Sequence, residues 1–177
     1  MSLKKSWHWL AIGGALLILM GLGGETPQEE PEEPEGDLKG PELEALFLGD
    51  LEVAEKEEAG EEPPPPLPEG DPRKAARKKL QNALYALGYR KTNRDGEATD
   101  AYRTALKAFQ TDVRAAENIF AGIPATLALL EEYDRMEVDG LGGPQVWAWV
   151  QWARGDQSTF SAAVMNATGH QPGGKYP

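Results

Sequence analysis

From residue 71 onward, apolar positions recur at intervals of three and four, the period of helices that bury one face. Ala76, Leu80, Ala83, Leu84 and Leu87 form the first such stripe. Asp71 before Pro72 offers an N-cap and a first-turn proline, and Gly88 offers a left-handed stop, so a helix is predicted between them. Tyr102, Leu106, Phe109, Val113 and Ala116 predict a second helix over 99–119, ended by Gly122 and Pro124. Leu127, Leu130 and Tyr133 predict a third over 125–136. Gly143-Pro144 opens a fourth, which carries Val146, Trp147, Trp149, Val150 and Trp152. Trp147 and Trp149 cannot share a helix face, whereas Trp149 and Trp152 can. Trp147 is therefore expected in the core. The other two are either exposed or covered by the chain that follows, where 158–165 suits one short helix. Between the helices lie Asp95-Gly96 and, 44 residues later, Asp139-Gly140. Each reads as a tight turn in which aspartate accepts backbone donors and glycine supplies positive φ.

The first 72 residues follow another pattern. Lys4 and Lys5 precede an uncharged run from Trp7 to Gly24. As a helix that run reaches roughly 27 Å, close to the thickness of a bilayer core. It reads as an uncleaved membrane anchor with its lysines on the cytoplasmic side, or as a signal peptide that is cut after the small residues at its end. Residues 25–72 hold 18 acidic side chains against Lys39 and Lys56, and ten of the 14 prolines. That composition predicts a disordered, self-repelling linker with a polyproline spacer at its end. Within it, 41–59 places Leu43, Leu46, Phe47, Leu48, Leu51 and Val53 close together. This stretch reads as a transient helix, or as one that docks onto a partner.

Charge and chemistry narrow the picture. The net charge of −11 hides a basic C-terminal part, since residues 73–177 carry 14 basic and 11 acidic side chains. The run 73–79 contains five cations without interleaved aromatics. It is read as a solvated first turn facing the acidic linker or an anionic polymer, with no nucleic-acid partner expected. The absence of cysteine excludes disulfides, thiolate metal sites, a cysteine nucleophile and a lipoprotein attachment motif. His8 and His170 have no companions at metal-ligand spacing, and no serine sits in a nucleophile-elbow pattern. Carboxylate pairs such as Glu97 and Asp112, or Glu131 and Glu132, read as solvated helix surface. Neither catalysis nor a cofactor is expected. Asn166-Ala167-Thr168 fits a glycosylation sequon, a short match of little weight.

Leu80-Gln81, Leu84, Leu87-Gly88-Tyr89, Asp95-Gly96, Ala105-Leu106, Phe109-Gln110, Val138-Asp139-Gly140, Gly143-Pro144 and Trp147 follow one another in a telling order. The order resembles the peptidoglycan-binding-domain-like family, small helical cell-wall modules attached to many bacterial and phage hydrolases. The resemblance spans about residues 75–153. It departs from the family pattern at Ala98 and Thr99, where an aromatic-glycine pair is usual, and at Tyr102 and Val146, where threonine is usual. It departs again in the 27 residues between Gln110 and Val138, which the third predicted helix fills.

The expected architecture is all-α, a small orthogonal bundle of three to four helices after a transmembrane helix and a disordered acidic linker. The expected divisions are 1–24 anchor or signal peptide, 25–72 linker, 73–153 helical domain and 154–177 polar tail, with its last eight residues disordered. The resemblance implies a non-catalytic peptidoglycan-binding protein, single-pass in the inner membrane, with its C-terminal domain extracytoplasmic. Carried over from their motif positions, Tyr89, Arg90, Gln110, Asp139 and Trp147 are the candidate ligand-binding residues. Their own chemistry also fits turn capping for Asp139 and core packing for Trp147. The alternative is a membrane-associated scaffold, in a phage virion or envelope machinery, that meets a protein partner through 125–136.

Overall fold

The computed structural model describes residues 38–174, apart from 61, 63, 64 and 134. The predicted anchor and the first part of the predicted linker lie outside the described residues. The chain divides into two units, Met1–Glu30 and Pro31–Pro177, and everything below belongs to the second.

Six helices and no strand occur among the described residues: α1 Gly40–Glu58, α2 Pro72–Ala86, α3 Asp100–Phe120, α4 Pro124–Glu132, α5 Pro144–Gly155 and α6 Gln157–Thr168. The all-α expectation holds, with more helices than the three to four expected. Local sequence accounts for most boundaries. The Asp71 carboxylate accepts the Arg73 N–H at 2.8 Å and starts α2. Gly88, at φ 107°, ends it. The Tyr89 N–H then reaches back to Leu84 O at 3.0 Å and the Gly88 N–H to Tyr85 O at 3.1 Å, the paired bonds of a glycine-stopped helix. Thr99 caps α3 through Tyr102 N–H, and Asp156 caps α6 through Thr159 N–H.

The core forms where α3, α5 and α6 meet. Phe120 packs on Trp149 and Trp152, with ring centroids 5.1 and 5.2 Å away. Phe160 of α6 closes the cluster from Phe109 at 5.9 Å to Phe120 at 6.1 Å. Trp149 and Trp152 thus share a face, as their spacing requires, with Trp149 buried and Trp152 half-buried against the core. The polar tail expected at 154–177 therefore includes a structural helix with Phe160, Ala163 and Val164 buried. Its serines and asparagine gave the segment a polar average, but they fall on the outward side.

Two other expectations change. Among residues 25–72, the stretch 40–58 is a helix packed on α2 and α5, with Leu43, Leu46, Gly49 and Asp50 buried. The stretch 41–59, read as a transient or partner-docking helix, docks instead on the chain's own helices, with one proline at its first turn and an apolar face inward. Its acids also find partners, Glu57 on Arg103 and Glu52 on Lys56. The third predicted helix is shorter than expected. Only Thr126 of α4 is buried, and Leu127, one of the apolar positions that predicted the helix, is 43% exposed. Among the described residues, no single helix is long and apolar enough to cross a membrane.

Candidate functional site: two glutamine-held corners and a buried carboxylate

The two Asp-Gly turns are built alike. Asp95 Oδ1 accepts the Glu97 N–H and Asp139 Oδ1 accepts the Leu141 N–H, both at 2.9 Å. Gly96 and Gly140 take φ of 83° and 81°. A glutamine from the preceding helix holds each turn from behind. Gln81 Oε1 accepts the Gly96 N–H at 2.7 Å, and its Nε2 donates to Glu97 O at 2.9 Å. Gln110 Oε1 accepts the Gly140 N–H at 2.9 Å, and its Nε2 donates to Asp139 Oδ1 at 2.7 Å and Leu141 O at 3.3 Å. Each glycine also presses on the helix seven residues before its glutamine. A Cβ at Gly96 would lie 2.4 Å from Lys74 O, and one at Gly140 would lie 3.4 Å from Arg103 O. One device is used twice, and α4 is inserted into the second copy between glutamine and corner.

The five candidate ligand-binding residues do not line one cleft. Tyr89 is 2% exposed, its O–H donates to Asp112 Oδ2 at 2.7 Å, and its ring meets Phe109 edge-on. Arg90 is exposed beside it, its guanidinium 5.9 Å from the Tyr85 ring centre. Together with Lys91, Thr104 and Ala108 they border a pocket of about 290 Å³. Gln110 and Asp139 border another, of about 400 Å³, with Phe47, Tyr133, Arg135 and Gln145 around it. Gln110 is buried, and both ends of its amide hold the corner. Trp147 is 4% exposed and borders neither pocket. The stretch 170–174, expected to be disordered, packs back at least in part. Gly173 N–H reaches Asp112 Oδ2 at 3.3 Å, and His170 Nε2 lies 3.7 Å from Asp112 Oδ1. Among the described residues no group of three or more His, Cys, Asp or Glu is placed to hold a metal ion.

Between the corners sits a feature that sequence reasoning missed. Asp50 of α1 projects its carboxylate inward at 3% side-chain exposure, against Arg77 at 2%. Oδ1 accepts Arg77 Nε at 2.9 Å and Nη2 at 2.8 Å, while Oδ2 accepts Tyr102 Oη at 2.9 Å and the Gly142 N–H at 3.0 Å. Arg77 Nη1 donates to Gly96 O at 2.9 Å. The ion pair therefore ties the first corner to the second. Burial pushes the Asp50 carboxyl above its ordinary range; Arg77, the Gly142 amide and Tyr102 pull it back only in part. The same burial, with the Asp50 charge beside it, pushes the Tyr102 phenol well up. One signal was available in the sequence. Arg77 falls four residues before Gln81 and three before Leu80, on the buried side of α2 rather than its solvated one. Of the rest of the basic run, Arg73 meets Asp71 and Lys74 meets Glu69, acids of the preceding segment, and Lys74 also meets Glu97 beside the first corner.

Comparison with protein-family models gives no match, and neither do comparisons with curated proteins or with solved structures.

Proposed function

We propose that this chain is a non-catalytic binding protein that holds peptidoglycan and is tethered at the inner membrane by its N-terminal segment, with its helical domain outside the cytoplasm. One observation carries the reading. The motif order Leu-Gln, Leu-Gly-Tyr, Asp-Gly, Phe-Gln, Asp-Gly corresponds to a physical device used twice, Gln81 on Gly96 and Gln110 on Gly140. The pocket beside the second corner adds suitable chemistry. Without any residue of α1, Tyr133 offers a ring face, Arg135 a cation, Gln145 an amide and Asp139 a carboxylate. A polymer of sugars and short peptides presents hydroxyls, amides and carboxylates that such groups bind weakly, and repetition of the ligand multiplies weak contacts. Sedimentation of the full-length chain in detergent with purified sacculi tests this. Co-sedimentation is expected at low salt, with a several-fold loss in Arg135→Ala/Gln145→Ala. A chain that stays in the supernatant at low salt refutes the reading.

A second reading is favoured by α4. Leu127 is 43% exposed and Ile119, at the end of α3, 37%. Exposed apolar side chains on and beside α4 suit a protein partner in an envelope or virion assembly. Leu127→Glu would abolish such an assembly and leave sacculus binding intact.

A further inference from the structure

Four donors converge on the Asp50 carboxylate, and none belongs to α1. Two are nitrogens of Arg77 on α2, one is the Tyr102 hydroxyl on α3, and one is the Gly142 N–H at the second corner. Contacts made without α1 hold them in place. Arg77 is also fixed by Gly96 O, Tyr102 lies on the buried face of α3, and Gly142 follows the corner held by Gln110. The aromatic core of Phe109, Phe120, Trp149 and Phe160 likewise contains no residue of α1.

To the cradle α1 contributes one carboxylate on an anionic rod, and to the core it contributes Leu43 and Leu46, which its departure would expose. It carries seven acidic residues and one lysine. A second anchor, Glu57 on Arg103, lies two turns further along. Of its leucines, Leu43 and Leu46 are buried, while Leu48 is 56% exposed. Beyond Asp50 the helix stands away from the first corner. A cavity of about 750 Å³ opens there, bordered by Glu52, Lys56, Pro65, Arg73, Arg77 and Thr99. The connection from residue 59 to residue 71 could extend on the order of 40 Å, long enough for α1 to move off the cradle.

We propose that Arg77, Tyr102 and the Gly142 amide form a carboxylate-binding site, and that α1 is its built-in occupant, displaced by a carboxylate of the wall peptide. The ligand's identity rests on the peptidoglycan reading; the chemistry of the cradle does not. Exchanging one carboxylate for another never leaves Arg77 buried without a counter-charge, which would be the costly state. A tethered occupant competes at high effective concentration, so a single free peptide displaces it poorly and a repeating polymer well.

Acetate is the probe for the cradle. In Asp50→Ala, acetate should raise Tm by about 3 °C or more over chloride at equal ionic strength. Wild type and Asp50→Ala/Arg77→Met should melt alike in both salts. If Asp50→Ala is unfolded in chloride, acetate should restore its helical circular dichroism. Indifference of Asp50→Ala to acetate overturns the cradle. The displacement of α1 is tested with Gly49→Cys/Arg73→Cys in the full chain, which has no other cysteine. A Cβ at position 49 lies 4.0 Å from Arg73 Cγ, so oxidation can fix α1 in place. The oxidised chain should co-sediment with sacculi at least tenfold less than the reduced one. Equal sedimentation overturns displacement and leaves wall binding standing. No sedimentation by wild type or by either form overturns wall binding, and the acetate result then decides the cradle alone.

Discussion

Replacing Gly96 by alanine should cost far more than replacing Gly169, although the two glycines share nearly the same φ, 83° and 78°. The left-handed conformation alone costs an alanine about 1–2 kcal/mol. That is the whole penalty at Gly169, where a Cβ meets nothing within 4 Å. At Gly96 the new methyl would lie 2.4 Å from the Lys74 carbonyl oxygen, a backbone atom that no rotamer change can move. Reaching ordinary contact requires a shift of roughly 1 Å. A shift of that size pulls the Gly96 N–H off Gln81 Oε1, now 2.7 Å away. A buried donor stripped of its partner costs about 1–3 kcal/mol. The expected totals are therefore about 2–5 kcal/mol at Gly96 against about 1–2 kcal/mol at Gly169. Gly140→Ala should fall between them, because its nearest obstacle is the flexible Lys107 Cε at 2.8 Å. Urea unfolding of the full chain, followed by tryptophan fluorescence, resolves the series. With a slope of about 1–3 kcal/mol/M, Gly96→Ala should unfold about 1 M earlier than Gly169→Ala. Equal midpoints for these two variants would refute the claim that the first corner is wedged against α2.

Arg77→Met should destabilise by about 3–5 kcal/mol, since it leaves the Asp50 charge buried without its cation. Adding Asp50→Leu should recover much of that loss, and additive costs in thermal melts would show that the two are not coupled. Asp50 also predicts a pH signature. Its carboxyl is raised on folding, so the native state binds the proton more readily than the unfolded chain between the ordinary value of 3.8 and the raised one. Its contribution therefore declines as pH rises through that window. Acidification from pH 7 to 4 should shift the stability difference between wild type and Asp50→Asn towards wild type, and a constant difference contradicts this. Carboxyls held low by their partners, Asp71 by Arg73 and Asp156 by Thr159, act in the opposite sense. Phe160→Ala should cost about 3–5 kcal/mol by opening the aromatic cluster. Near-ultraviolet circular dichroism should fall with it, and an unchanged spectrum would place α6 outside the core.

Local signals in the chain were enough to determine α2, α3 and α5 and the two corners. Asp71-Pro72, Gly88, Thr99 and Gly143-Pro144 act on backbone within one or two turns of themselves, and the apolar period shows which side each helix buries. The same proximity explains why Asp95 and Asp139 were legible as turn caps. Pairings between distant residues left no such local trace. Gln81 and Gln110 looked like a helix residue and a ligand residue until each was seen to grip a glycine 15 or 30 positions later. Asp50 looked like one acid among 18. Only the arrival of Arg77 from 27 residues away, Tyr102 from 52 and Gly142 from 92 makes it a buried, fully partnered carboxylate. Burial of a charge depends on what surrounds it in space, and α1 holds its place because partners from three separate elements meet there.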